Sequence, residues 1–398
     1  MKRALLALTL FVVGCNSGGS EGSGGGGGSS ASGGGTSASG GGTSASGGGT
    51  SASGGGTSAS GGGSAITDAG PNFAFVTSQT FTGALGGLAG ADTACQNAAA
   101  DAGLSGAYRA WLSADGGSAA TRFAGARGWV RPDGKPFTDT LDGLLTKHRI
   151  FYPLMITERG TVTPFSTSYV WTGTDDDGST TPQNCIDWTT ADAGSTGYAG
   201  SPDDLGRGWT HGAAGSCSQP RPIFCLGYDR AVPVAPVRPA GARVAFVTNG
   251  SYLLGPGLVS ADQLCANEAT AAGLPGTFLA LLSTDGGSAA SRFKTDAGTW
   301  VRPDNAALMP TAAEVFTTAF LQAGMNVTAD AGTYTCGPAY WTGAPSPTAL
   351  GTQTCMDWTS TNAQANGGYG ASCYLDRWFA HSTVPCNFSA SHLYCLQQ

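Results

Sequence analysis

Apolar and polar positions alternate along this chain in a pattern that occurs twice. Leu88, Ala91, Cys95, Ala98 and Ala102 fall near helical spacing in an Ala-rich run without proline, which predicts a helix ended by Gly103. The aromatic and apolar segment 107–113 predicts a strand, and the DGG after it, from Asp115 to Gly117, predicts a turn. Residues 87–123 return as residues 257–293 at a constant offset of 170, so Asp92 matches Asp262, Cys95 matches Cys265 and Ser113 matches Ser283. The surrounding order also repeats. A strand opens each copy, FAFVTS at Phe73 and VAFVTN at Val244. WVRPD, beginning at Trp129 and Trp300, reads as a strand running into a turn. A second helix is expected over 138–145 and 312–321. Short strands follow at Tyr169 (YVWTG), Asn184 (NCIDWT), Ala339 (AYWTG) and Thr354 (TCMDWT), and an apolar strand carrying Cys closes each copy at Ile223 and Leu393. Two early helices and many late short strands predict an α+β fold.

This pattern divides the chain into a leader (1–14), a Gly/Ser-rich tether (15–70), a first domain (71–229), a Pro-rich linker (230–242) and a second domain (243–398). Lys2 and Arg3 precede an apolar stretch far too short to span a bilayer. The tether repeats SASGGGT without an apolar seam, so it is not a coiled coil. As a flexible coil it would reach roughly 40 Å. Repeated prolines predict an extended, semi-rigid linker.

Eleven cysteines change the picture. The first domain holds Cys95, Cys185, Cys217 and Cys225; the second holds Cys265, Cys355, Cys386 and Cys395 at matching places and adds Cys336 and Cys373. Even counts in an exported chain predict a disulfide framework. Four cysteines allow three pairings, and arithmetic does not choose among them. No CxxC pair suggests a zinc site. Cys336 and Cys373, the leftover pair, are expected to bond to each other and to pin a local loop dispensable to the fold. The remaining cysteine, Cys15, ends the sequence VVGC, which resembles the lipobox of bacterial lipoproteins. That resemblance implies cleavage before Cys15 and lipidation of its thiol; Asn16 after it favours the outer membrane and cell surface.

GLAGADTACQNAAADAGLSGAYRAWLS, from Gly87, resembles the start of the endostatin domain of collagens XV and XVIII. VWTGTDDDG, then Cys followed later by DWT, SC and the closing IFC strand, resembles its end. Small bacterial lipoprotein domains of unknown function, abundant in Leptospira, are similar too. The resemblance implies two tandem C-type-lectin-like (endostatin-like) domains, stapled by disulfides, after the Gly/Ser tether. It also implies that outer cysteines pair and inner cysteines pair: Cys95–Cys225 with Cys185–Cys217, and Cys265–Cys395 with Cys355–Cys386. The chain departs from endostatin in charge. It carries ten Lys and Arg against fifteen Asp and Glu over 71–229, and five against nine over 243–398, so neither a heparin-like polyanion nor nucleic acid is an expected partner. No histidine precedes His148, so endostatin's N-terminal zinc site is not carried over.

Candidate chemistry is sparse. The four histidines, His148, His211, His381 and His392, occupy no strictly equivalent positions, although His211 and His381 come within one residue. Nothing marks a catalytic triad, and no enzyme activity is expected. Asp175, Asp176 and Asp177, a run of hard oxygen ligands closed by Gly178, form the candidate Ca²⁺ site of the first domain, with Asp187 and Asn184 near enough in sequence to contribute. The second domain has no carboxylate there. The recurring tryptophans, Trp129, Trp171, Trp188 and Trp209 with Trp300, Trp341, Trp358 and Trp378, read as core rather than as a carbohydrate platform. The expectation is a lipid-anchored surface protein acting as a non-catalytic binding or adhesion module for an extracellular protein or glycan; a structural envelope protein or an unmarked enzyme are the alternatives.

Overall fold

The computed structural model describes residues 70–163 and 169–398. The leader, Cys15 and the tether to residue 69 lie outside the described residues. The first repeat contains β1 (Asn72–Val76), α1 (Gly87–Asp101), β2 (Tyr108–Ala110), α2 (Ala119–Arg122), β3 (Arg127–Val130), β4 (Pro136–Thr140), α3 (Leu141–Thr146), β5 (Val170–Trp171), the single turn α4 (Cys185–Trp188), β6 (Thr196–Gly200), β7 (Ala213–Ser216) and β8 (Phe224–Gly227). The second contains β9 (Arg243–Val247), α5 (Leu258–Ala271), β10 (Phe278–Ala280), β11 (Trp300–Val301), α6 (Ala312–Thr317), β12 (Ala339–Trp341), the single turn α7 (Cys355–Trp358), β13 (Asn366–Ala371), β14 (Ser382–Pro385), β15 (Ser391–His392) and β16 (Tyr394–Gln397). The fold is mixed α and β, built from several small sheets.

Each repeat closes on itself. Its first and last strands are antiparallel neighbours, in the sheet β2-β8-β1-β3-β4 and in the sheet β10-β16-β9-β11. The smaller sheets are β5-β6-β7 and β14-β13-β12-β15. α1 buries Ala91, Cys95 and Ala99 along one stripe. Asp92 on that helix accepts the backbone N–H of Ala110 at 2.9 Å and pairs with Arg122. In the second repeat Asp262 takes the N–H of Ala280 at 2.9 Å and pairs with Arg292. The repeated Asp and Arg thus dock helix to strand.

A disulfide framework is present, as the cysteine count predicts. Cys95–Cys225 ties α1 to β8 and Cys265–Cys395 ties α5 to β16, each across 130 residues. Cys185–Cys217, Cys355–Cys386 and Cys336–Cys373 complete it. In the chain-entropy model each long bridge is nominally worth about 4–5 kcal/mol.

NCIDWT and TCMDWT form left-handed turns instead of the expected strands. Four consecutive residues in each have positive φ: Cys185 (54°), Ile186 (51°), Asp187 (53°) and Trp188 (62°), and Cys355 (52°), Met356 (55°), Asp357 (52°) and Trp358 (68°). Three ties impose this conformation. The cysteine is bridged. The tryptophan is fully buried and donates from Nε1 to the carbonyl of Ser113 or Ser283, at 2.9 Å in both repeats. The aspartate accepts the N–H of Asp115 at 2.8 Å or of Asp285 at 2.7 Å. Such over-determination is what holds strained backbone in place. All eight recurring tryptophans are buried.

The two repeats share one hydrophobic core, which runs from Trp111, Phe137 and Leu205 to Trp300, Leu321 and Leu375. Leu205 of the first repeat packs against Gly324 of the second so closely that a Cβ there would overlap it. Arg302 is fully buried and reaches across to donate to the carbonyl of Ile150 at 3.0 Å. The Ala307 N–H returns the contact by donating to the Tyr152 hydroxyl at 2.8 Å. The linker also docks on the first repeat: Asn72 Nδ2 donates to the Arg230 carbonyl at 2.8 Å, and the Val234 N–H donates to Asp139 at 2.9 Å. Among the described residues no helix is long and apolar enough to cross a membrane.

Candidate functional site: a cleft between the repeats

The same segment of each repeat, 198–212 and 369–381, faces its counterpart across a cleft of about 790 Å³. Its walls carry Tyr169, Tyr198, His211 and Arg207 from the first repeat, and Tyr369, Tyr374, Arg377 and His381 from the second. β6 and β13 position the two central tyrosines. The 3-10 turn at Arg207–Trp209 sinks Trp209 into the core, which leaves Arg207 at the rim.

The tyrosines and histidines come as pairs. The rings of Tyr198 and His211 lie 4.1 Å apart, and His381 lies 5.5 Å from Tyr369 and 5.7 Å from Tyr374. Strand register explains why the histidines miss strict equivalence. Trp171 pairs with Ala199, and its mate Trp341 pairs with Tyr369. The Gly212 N–H donates to the Ala199 carbonyl where the His381 N–H donates to the Tyr369 carbonyl. Tyrosine and histidine have therefore moved together by one residue, which keeps their rings in contact. A one-residue step on a strand turns a side chain to the opposite face. Each repeat thus presents its pair from a different face, and both pairs meet in one cleft.

Charge in the cleft is mixed. Arg207 lies 3.8 Å from Asp176, and Arg377 lies 3.6 Å from Asp376. Asp203 is buried and accepts from the Ser201 hydroxyl. Asp204 accepts the Gly206 N–H at 2.7 Å, yet burial, reinforced by the charge of Asp203, pushes its carboxyl up to about 6. Burial pushes the Tyr374 hydroxyl up, with Asp204 adding to it, and pulls the His381 imidazole down, with Arg377 adding to it. Cys336 and Cys373 also line the cleft, and the Cys336 side chain lies against Gly206 of the opposite repeat. That bridge sits at the seam between repeats rather than within an isolated loop.

The candidate calcium ligands do not converge. Asp175 lies 2.8 Å from His211 Nδ1, Asp176 faces Arg207, and Asp177 accepts the Ser179 N–H at 2.9 Å. Asp187 is committed to Asp115 and to Asn184, whose Nδ2 donates to it at 3.0 Å. Among the described residues no group of three or more His, Cys, Asp or Glu side chains is placed to hold a metal ion. The aspartate run backs the cleft, with Asp175 behind His211 and Asp176 behind Arg207. The second repeat, without carboxylates at that place, supplies Asp376 beside Arg377.

The other two histidines serve elsewhere. His392 Nδ1 is 2.9 Å from the Thr248 carbonyl. His148 is half-buried, and burial lowers its imidazole pKa against the opposing charge of Asp176. Sequence reasoning missed Tyr198, Asp203, Asp204, Arg207, Tyr369, Tyr374 and Arg377. One signal was available: Leu205 with Arg207 and Leu375 with Arg377 share a Leu-x-Arg spacing just before or at the recurring tryptophan.

Residues 78–204 match the model of a family described as "Protein of unknown function (DUF1554)". No curated protein matches the chain.

Proposed function

We propose that this is a lipid-anchored cell-surface protein of the bacterial outer membrane that binds an extracellular ligand without catalysis, and that the cleft between its repeats is the binding site. The observation that carries this reading is the cleft itself. Its volume of about 790 Å³ falls within the usual range for ligand sites, about 300–1,000 Å³, and aromatic rings and polar groups from both repeats converge on it. The fold is read as two C-type-lectin-like, endostatin-like units. The early helix stapled to the closing strand, the antiparallel pairing of first and last strands, and the bridge from the DWT turn support that reading. Lipidation of Cys15, at the head of the Gly/Ser-rich tether, would hold the protein at the membrane. Cys15→Ser is expected to release the protein from the membrane fraction or to stop its maturation; unchanged partitioning and processing would refute the anchor. The binding role is tested on an array of glycans and extracellular matrix proteins, with Ala371→Trp filling the cleft. Saturable binding lost in the filled variant supports it. No saturable binding, or binding indifferent to the filling, sinks it.

A further inference from the structure

The chemistry of the cleft narrows the ligand, on the premise that the cleft is the binding site. We propose that it takes an uncharged oligosaccharide built of like units. The walls offer hydrogen bonds in both senses: Asp203 and Asp204 accept, while Arg207, Arg377 and the tyrosine hydroxyls donate. A hydroxyl both donates and accepts, so a polyhydroxylated ligand can use both sets at once. Between these groups lie ring faces. Tyr198 and Tyr369 are partly exposed, each has a histidine ring against it, and a histidine also stacks on Tyr374 at an interplanar angle of 15°. Such platforms are large and stiff, and they suit the apolar face of a sugar ring.

Charge argues against an ionic ligand. Each arginine at the rim faces a carboxylate of its own repeat, at 3.8 Å for Arg207 and Asp176 and at 3.6 Å for Arg377 and Asp376. The remaining carboxylates, Asp203 and Asp204, oppose an anion, and the two guanidinium groups oppose a cation. No field of one sign is left to select an ion. Near-equivalence of the walls argues for repetition in the ligand: one Tyr–His pair and one arginine face it from each repeat. A ligand of like units meets the same kinds of group on both walls.

The test uses the full-length chain in detergent and isothermal titration with neutral linear oligosaccharides (cello-, chito-, malto- and laminari-series, from one to six units). Sulfated heparin oligosaccharides are the anionic comparison. The expected result is one site per chain for at least one neutral series, with affinity rising from the disaccharide to the tetrasaccharide. Tyr198→Ala and Tyr369→Ala should each weaken binding at least about tenfold. Arg377→Ala, at an exposed rim position, should also weaken it. Absence of binding by every neutral series overturns the proposal, as does preference for the heparin fragments. Neutral binding unchanged in all three variants overturns both this proposal and the cleft as the site. A matrix protein bound and then lost in Ala371→Trp, with no neutral sugar bound, would overturn the ligand class and leave the cleft standing.

Discussion

At the scale of residues, the most unusual feature is the side chain held on left-handed backbone. Left-handed helical backbone costs an L-residue roughly 1–2 kcal/mol, and a β-branched side chain suits it least. Ile186 at φ 51° and Met356 at φ 55° nonetheless sit at the tips of their turns, 67 % and 72 % exposed. Burial recovers little of that cost. Ile186→Gly and Met356→Gly are therefore expected to stabilise the protein, by about 0.5–1 kcal/mol each, and Ile186→Ala to gain less. Thermal melts of the three variants decide it; a glycine variant that melts below wild type would show that the tip is not strained. Asp204 offers a second residue-level test. Its carboxyl is raised from 3.8 to about 6 chiefly by burial. Folding therefore favours its protonated form, so its contribution is fully present below about pH 4 and is lost as pH rises through 6. Asp204→Asn keeps the acceptor for Gly206 without the charge. It should melt higher than wild type at pH 7.5, by on the order of 1 kcal/mol after allowance for partial exposure, and no higher at pH 4. Equal differences at both pH values would remove burial of the charge as the cause.

At the scale of elements, legibility followed the strength of the local signal. α1 occupies Gly87–Asp101 because the apolar positions from Leu88 to Ala102 have helical spacing and the run has no proline; the face it buries is Ala91, Cys95 and Ala99, with Ala98 and Ala102 only partly covered. β1, β8 and β16 follow their apolar runs. The second helices are shorter than read: α3 begins at Leu141, because Thr138 is still in β4 and Thr140 caps the helix, and α6 ends at Thr317. NCIDWT and TCMDWT read locally as strands, because nothing local specifies four left-handed residues. A distant cysteine, a buried tryptophan and a backbone N–H 72 residues away impose them. The cleft was illegible for a related reason: its residues acquire a role only where two repeats meet. The Cys336–Cys373 bridge shows this. By sequence it pins a local loop, yet it lines the cleft and lies against Gly206 of the other repeat. The double variant Cys336→Ser/Cys373→Ser is accordingly expected to lose about 2–4 kcal/mol, since the bridge spans 37 residues, and to loosen the cleft wall. A melt identical to wild type would restore the dispensable-loop reading.

At the scale of the whole molecule, the repeat and the linker predicted two domains joined by a spacer. The structure places a common core where each repeat meets the other. The physical reason lies in Leu205, Leu321, Leu375 and the aromatic pair Phe151 and Tyr152, all buried and all at the seam. Separating the repeats would expose them to water, at about 25 cal/mol per Å² of apolar surface. It would also strip Arg302 of the Ile150 carbonyl while that guanidinium stays beside Asp304. Burial fixes this arginine in an ion pair, and burial alone would pull its charge down; Asp304 more than offsets that and raises its pKa. Two repeats coupled in this way should unfold together. Calorimetry of the full-length chain is therefore expected to give one transition above the tether, with calorimetric and van't Hoff enthalpies equal. Leu205→Ala tests the coupling directly. It removes a fully buried side chain of the first repeat that packs on Gly324 of the second, a loss of about 2–5 kcal/mol. If the core is common, the single transition moves down as a whole and stays single. If the repeats are independent domains on a spacer, the scan splits, and the second repeat keeps its wild-type melting temperature while the first falls away beneath it.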